Sequence, residues 1–143
     1  GYYLIINRRS GRALTAYESG DSTTDSLYQY TPTADYSQQW IARGAGDNYY
    51  FINRRSNGVI TASEDGNTVE VKAFTGAKNQ MWGGHEQDIE AGVDGWWVLV
   101  RNNETGRYLD LENDSGENNV GIIQSRRRRN NQRQQWGFIP TEP

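Results

Sequence analysis

Gln38-Gln39-Trp40 recurs as Gln80-Met81-Trp82 and again as Gln134-Gln135-Trp136. Each Gln-x-Trp closes a stretch with a similar opening. The openings are Tyr2-Tyr3-Leu4-Ile5-Ile6-Asn7-Arg8-Arg9-Ser10-Gly11, Asn48-Tyr49-Tyr50-Phe51-Ile52-Asn53-Arg54-Arg55-Ser56-Asn57-Gly58, and Gly95-Trp96-Trp97-Val98-Leu99-Val100-Arg101-Asn102-Asn103. The chain therefore reads as a threefold internal repeat, one domain over 1–143 with units at about 1–46, 47–94 and 95–143. The spacing is uneven: 42 residues separate Trp40 from Trp82, and 54 separate Trp82 from Trp136. The excess falls in Gly83–Asp94 and Arg126–Arg133, which read as surface insertions.

Within each unit the apolar residues come in short runs. Tyr3–Asn7, Trp97–Val100, Arg12–Ala16, Val59–Ala62 and Tyr108–Leu111 have the length and β-branched or aromatic content of strands. Thr68–Phe74 alternates apolar and polar residues, the period of a half-buried strand. Turn clusters separate the runs: Ser19-Gly20-Asp21-Ser22, Glu64-Asp65-Gly66-Asn67 and Asn113-Asp114-Ser115-Gly116. No stretch has the period of an amphipathic helix. Four strands per unit in three units predict an all-β fold, a β-trefoil. No unit can cover its own apolar face, whereas three packed about a common axis can. The Trp of each Gln-x-Trp is then core, and its Gln bonds nearby backbone to fix the loop before the strand.

Composition narrows the function. Hydrophobic residues make up only 34% of the chain, yet it has five Trp and nine Tyr, so a few large side chains must build the core. A net charge of −3 argues against nucleic acid, which selects a basic face. No apolar run approaches the roughly 18 residues that would span a bilayer, so no membrane insertion is expected. With no cysteine there is no disulfide, thiol nucleophile or thiolate metal site. That leans toward a reducing compartment, cytoplasmic or left by a non-classical route. His85, the only histidine, neighbours Glu86 on a Gly-rich connector and has no second ligand. Asp110-x-Glu112-x-Asp114 lacks the rest of a calcium loop. No nucleophile elbow or phosphate loop is present, so no enzyme activity, metal or cofactor is expected. Asn103-Glu104-Thr105 and Asn113-Asp114-Ser115 fit the glycosylation pattern, which matters only in a secreted chain.

The triplicated Gln-x-Trp, with a Gly-x-x-Leu-like turn earlier in the unit, resembles the ricin-B-type β-trefoil lectins. It is similar in particular to small cysteine-free members from mushroom fruiting bodies. The resemblance covers almost the whole chain. It implies a non-catalytic lectin that binds glycans of glycoproteins or glycolipids, galactose or N-acetylgalactosamine in type, through up to one shallow site per unit. In that family an Asp after the turn accepts two sugar hydroxyls, and an aromatic or His on the next hairpin stacks on the ring. An Asn or Gln just before the Gln-x-Trp adds a contact, and here only Asn79 of the second unit matches. The Asp position here holds Thr15, Thr61 and Asp110. The hairpin position holds Tyr30 or Thr31, then Phe74 or Thr75, then Gln124 or Ser125. The position before Gln-x-Trp holds Ser37, Asn79 and Arg133, each followed by its motif Gln, namely Gln38, Gln80 and Gln134. No unit has the full set. Asp110 alone keeps the carboxylate, so it is the expected main anchor, with the second unit as the other candidate. Affinity at such shallow sites is weak, and a homodimer would add avidity.

Two other readings remain at this point. A trefoil protease inhibitor would act through the loops Gly83–Asp94 and Arg126–Arg133, although inhibitors of this fold generally lack the threefold Gln-x-Trp. A carbohydrate-binding module of a larger glycosidase would share the motif. The Arg126-Arg127-Arg128-Arg129 run reads either as a solvated loop or as a contact for an anion such as sialic acid, sulfate or phosphate.

Overall fold

A computed structural model describes residues 1–18, 24–85 and 97–141. The turn at Ser19–Ser22 and most of the insertion after Gly83, including Glu86, lie outside the described residues. Twelve strands are present: β1 Tyr3–Asn7, β2 Ala13–Glu18, β3 Thr24–Tyr30, β4 Trp40–Ala45, β5 Asn48–Asn53, β6 Val59–Ala62, β7 Val69–Lys72, β8 Trp82–His85, β9 Trp97–Asn102, β10 Tyr108–Leu111, β11 Ile122–Ser125 and β12 Trp136–Pro140. Among the described residues three single 3₁₀ turns, Tyr36–Gln38, Lys78–Gln80 and Gln132–Gln134, each lead into a motif Trp.

The pairings divide the strands into two sets. β1, β4, β5, β8, β9 and β12 pair in a closed ring, each antiparallel to its neighbours. The other six form three hairpins, β2–β3, β6–β7 and β10–β11. Each hairpin hangs from the ring through its first strand. The hairpins also touch one another, through the β3–β7 ladder and the bridges Tyr28–Gly121 and Thr68–Ile123. This is the β-trefoil, as the repeat predicts.

One asparagine per unit sets the turn out of the ring. Asn7, Asn53 and Asn102 are fully buried. The Oδ1 of each accepts from the backbone N–H groups two and three residues on. The Nδ2 of each donates 2.9 Å to a carbonyl of the preceding unit, at Arg133, Ser37 and Asn79 respectively. The units are thereby latched in a cycle. The turn next requires a left-handed residue, supplied by Gly11 (φ 71°), Asn57 (φ 62°) and Gly106 (φ 70°). Asparagine tolerates that conformation better than other side-chain-bearing residues. Gly58 is glycine for another reason: a Cβ there would lie 2.7 Å from Cγ1 of Val71.

The core repeats by triplets. Ile5, Phe51 and Val100 come from the ring, as do Trp40, Trp82 and Trp136; Leu14, Ile60 and Leu109, with Leu27, Val69 and Ile122, come from the hairpins. The three Trp side chains are 1%, 0% and 0% exposed. Their indole N–H groups donate to the carbonyls of Leu14, Ile60 and Leu109 at 3.0, 3.0 and 3.1 Å. Each motif Trp therefore ties its ring strand to the first strand of its own hairpin.

Candidate carbohydrate-binding site

The motif glutamines lie one residue inside the surface. Gln38 Oε1 accepts from Thr33 and Ala34 N–H, while its Nε2 donates to Thr31 O and to Thr15 Oγ1. Gln80 repeats this with Thr75, Gly76, Ala73 and Thr61. Gln134 accepts from Arg128 N–H and donates to Arg126 O, Ser125 Oγ and Asp110 Oδ2. So each Gln positions a loop, as expected, and also bonds the residue at the expected Asp position.

The three units differ in what lies above that position. In unit 3, Asp110 has a side chain only 1% exposed. Its Oδ1 accepts from Leu111 N–H at 2.7 Å and Arg133 Nε at 3.3 Å; its Oδ2 accepts from Ser125 Oγ at 2.6 Å and Gln134 Nε2 at 3.3 Å. A carboxylate has about four acceptor sites, and these four donors use them. Arg133 covers the carboxylate, donates to Leu111 O at 2.8 Å and pairs with Asp114 at 3.5 Å. The structure thus gathers Asp110, Ser125, Arg133 and Gln134, but as an internal network facing away from solvent. Gln124 is not part of that group. It is buried on the neighbouring strand position, donating to Ser63 O and Gly66 O of unit 2 and accepting from Thr105.

In unit 2, Thr61 donates to Val59 O and is nearly buried. Asn79 folds back across it and donates 2.9 Å to Ala62 O, as Arg133 does to Leu111 O. The register places Lys72 opposite Val59, as Tyr30 lies opposite Ala13 and Ser125 opposite Tyr108. Phe74 is therefore two residues beyond the hairpin position, in the following loop with Thr75. It is 47% exposed and stacks on Tyr50 with ring centroids 4.3 Å apart.

Unit 1 is open. Ser37 is too short to fold back, and the carbonyl of Ala16 is met instead by Arg55 of unit 2 at 3.2 Å. A depression of about 370 Å³ remains over Thr15 and Gln38. Tyr30 and Tyr17 line it, 39% and 57% exposed, and Tyr17 is held edge-on against Tyr28. Asp35 is at its rim, exposed, its carboxylate giving no capping bond to the turn it precedes. Arg55 and Asn119 enter from units 2 and 3. The depression thus offers two aromatic faces, one carboxylate, one guanidinium and several neutral polar groups. That set can stack on an apolar ring face and bond the hydroxyls at its edge.

The family model of the ricin-type beta-trefoil lectin domain-like proteins matches residues 1–74, which contain this depression's unit 1 wall and Arg55. The chain belongs to that family. No curated protein matches it. Among solved structures it is similar to ThreeFoil, a designed 3-fold symmetric protein, at 25% identity and TM-score 0.84 over 98% of this chain and 99% of that one. It also resembles a Macrolepiota procera ricin B-like lectin solved in complex with lactose, at 14% identity and TM-score 0.79 over 99% and 96% of the two chains. A third likeness is to an exo-beta-1,3-galactanase from Clostridium thermocellum, at 20% identity and TM-score 0.81; the match covers 98% of this chain and 30% of that enzyme.

Of the residues expected from the sequence, Thr15, Tyr30, Ser37 and Gln38 come together in the open depression. Tyr17, Asp35, Arg55 and Asn119 were missed. Tyr17 had a signal, since a large aromatic at an outward position of a strand leaves itself in water. Asp35 had one too, an acid three residues before Gln38. Arg55 and Asn119 belong to other units, and inspection of unit 1 alone cannot find them.

Proposed function

We propose that this protein is a non-catalytic lectin for galactose- or N-acetylgalactosamine-type glycans, with the unit 1 depression as its principal site. The observation that carries the reading is that unit 1 alone keeps its wall residue short and leaves two tyrosine rings beside a carboxylate with no capping duty. Tyr30 or Tyr17 stacks on the apolar face of the sugar. Asp35 takes the part of the carboxylate that Thr15 lacks, accepting from two neighbouring hydroxyls. Ser37, Arg55 and Asn119 add hydrogen bonds from the sides. The lactose in the Macrolepiota lectin supports the sugar class for a trefoil of this family. Units 2 and 3 are lesser sites, reached only if Asn79 or Arg133 swings away from its carbonyl. The partners are then glycoprotein or glycolipid glycans.

The test is a lactose titration followed by tryptophan fluorescence or NMR. Tyr30→Ala and Asp35→Ala are expected to lose binding while Asn79→Ala binds as wild type. Unchanged binding by both unit 1 variants would overturn the assignment. A second reading, a carbohydrate-binding module working within a longer glycosidase, is supported by the likeness to 30% of the galactanase chain. It uses the same site and differs only in what the site is attached to.

A further inference from the structure

A second depression, of about 400 Å³, adjoins the first. It is lined by Asp25, Ser56, Asn57, Lys72 and Phe74 among others. Three observations join the two. Arg55, which lines the first, carries the ion pair to Asp25, which lines the second, at 3.9 Å. Ser56 follows Arg55 directly in the chain. Tyr17 of the first lies opposite Ser26 in the β2–β3 ladder, next to the Glu18–Asp25 pair. The Asp25–Arg55 pair thus links the lining of one hollow to that of the other. Strand β3 reaches both, with Thr24 and Asp25 lining one and Tyr30 the other. Six residue steps at about 3.3 Å each give a length of roughly 20 Å, more than one sugar ring occupies.

The second hollow has its own stacking surface. Phe74 is 47% exposed and is backed by Tyr50 at 4.3 Å, which holds the ring in place without a ligand. A pre-set aromatic loses little freedom on binding. Lys72 and Asn57 supply donors beside it, and Asp25, whose side chain is 15% exposed, supplies an acceptor.

We propose that the two hollows are successive subsites of one groove, so that the ligand is an oligosaccharide. Its terminal galactose-type residue sits on Tyr17 or Tyr30, and a residue further along the chain sits on Phe74. This rests on the lectin reading of the unit 1 site and adds the length of the ligand.

The experiment compares methyl β-galactoside with lacto-N-neotetraose, a tetrasaccharide ending in galactose, by calorimetry or NMR. Wild type, Tyr30→Ala, Phe74→Ala and Lys72→Ala are measured, with melting curves to confirm folding. The tetrasaccharide is expected to bind wild type about tenfold tighter than the monosaccharide, the worth of one added stack. Phe74→Ala is expected to remove that gain and leave methyl β-galactoside binding unchanged; Lys72→Ala removes part of it. Equal affinity of wild type for the two sugars, or a full tetrasaccharide advantage in both Phe74→Ala and Lys72→Ala, overturns the proposal while leaving the unit 1 site standing. Loss of both sugars in Tyr30→Ala supports the first subsite. Binding of neither sugar to wild type overturns the lectin reading and the groove with it.

Discussion

Asp110 pairs with Arg133 at 3.3 Å in a position where a sugar would meet the guanidinium first. Removing one partner of a buried pair leaves the other uncompensated, a loss of about 3–5 kcal/mol. Asp110→Ala is therefore expected to lower the urea midpoint markedly, and to leave lactose binding at unit 1 intact wherever the variant is folded. A midpoint near wild type would show that the network carries no stability. The motif tryptophans give a second, independent expectation. Truncating Trp40, Trp82 or Trp136 to Ala should cost about 3–5 kcal/mol each through the cavity created. Trp→Phe keeps most of that volume, but orphans the carbonyl of Leu14, Ile60 or Leu109 and should cost about 1–3 kcal/mol. Chemical denaturation of both series separates packing from hydrogen bonding.

The loops before the motif tryptophans show how the same local frame serves different ends. Arg54 donates to Gln39 Oε1 at 2.7 Å, and Arg8 donates to Gln135 Oε1 at 2.8 Å, each across a unit boundary. At the third boundary the acceptor is Met81, and the facing residue is Asn103, which turns instead to Asp47 O and Asn48. Both members of the clasp are missing together. Installing Met81→Gln with Asn103→Arg should restore it, with a favourable coupling of about 0.5–1 kcal/mol in a double-mutant cycle; zero coupling would show that the clasp depends on its neighbours. Arg54 has such neighbours, lying 4.4 Å from the Tyr2 ring and 3.9 Å from the Tyr36 ring. These details also show what could be read from the chain itself. Strands, turns and buried Trp follow from period-2 alternation and a repeated triplet, so the trefoil is legible in the chain itself. The candidate site is legible only where its residues sit in one unit, as Thr15, Tyr30, Ser37 and Gln38 do. The resemblance puts Phe74 at the hairpin position of Tyr30, but the ladder register makes Lys72 the equivalent. Asp110 reads as the main anchor because nothing in the sequence tells that Arg133 folds over it.

Closure of the ring makes the three units interdependent. The open depression itself needs all three: its floor is unit 1, Arg55 belongs to unit 2 and Asn119 to unit 3. A fragment of one unit is expected to bind nothing. For the intact domain, a shallow polar site should give a dissociation constant of roughly millimolar to tens of micromolar. Cell agglutination is then expected only where the protein presents several sites, through dimers or through units 2 and 3. Agglutination by a strict monomer with one titratable site would contradict this account. Strand β12 pairs with β1: Tyr3 lies opposite Pro140, Asn7 opposite Trp136, and Thr141 N–H donates to Tyr2 O. Residues 2 and 141 therefore leave the ring at the same corner. A pull between them does not load the β1–β12 ladder as a block. It meets the bonds singly, starting at Tyr2 and Thr141 and running inward to Asn7 and Trp136. Stretched from that corner the ring should peel open like a zip at low force, however well its three shared boundaries resist heat or urea.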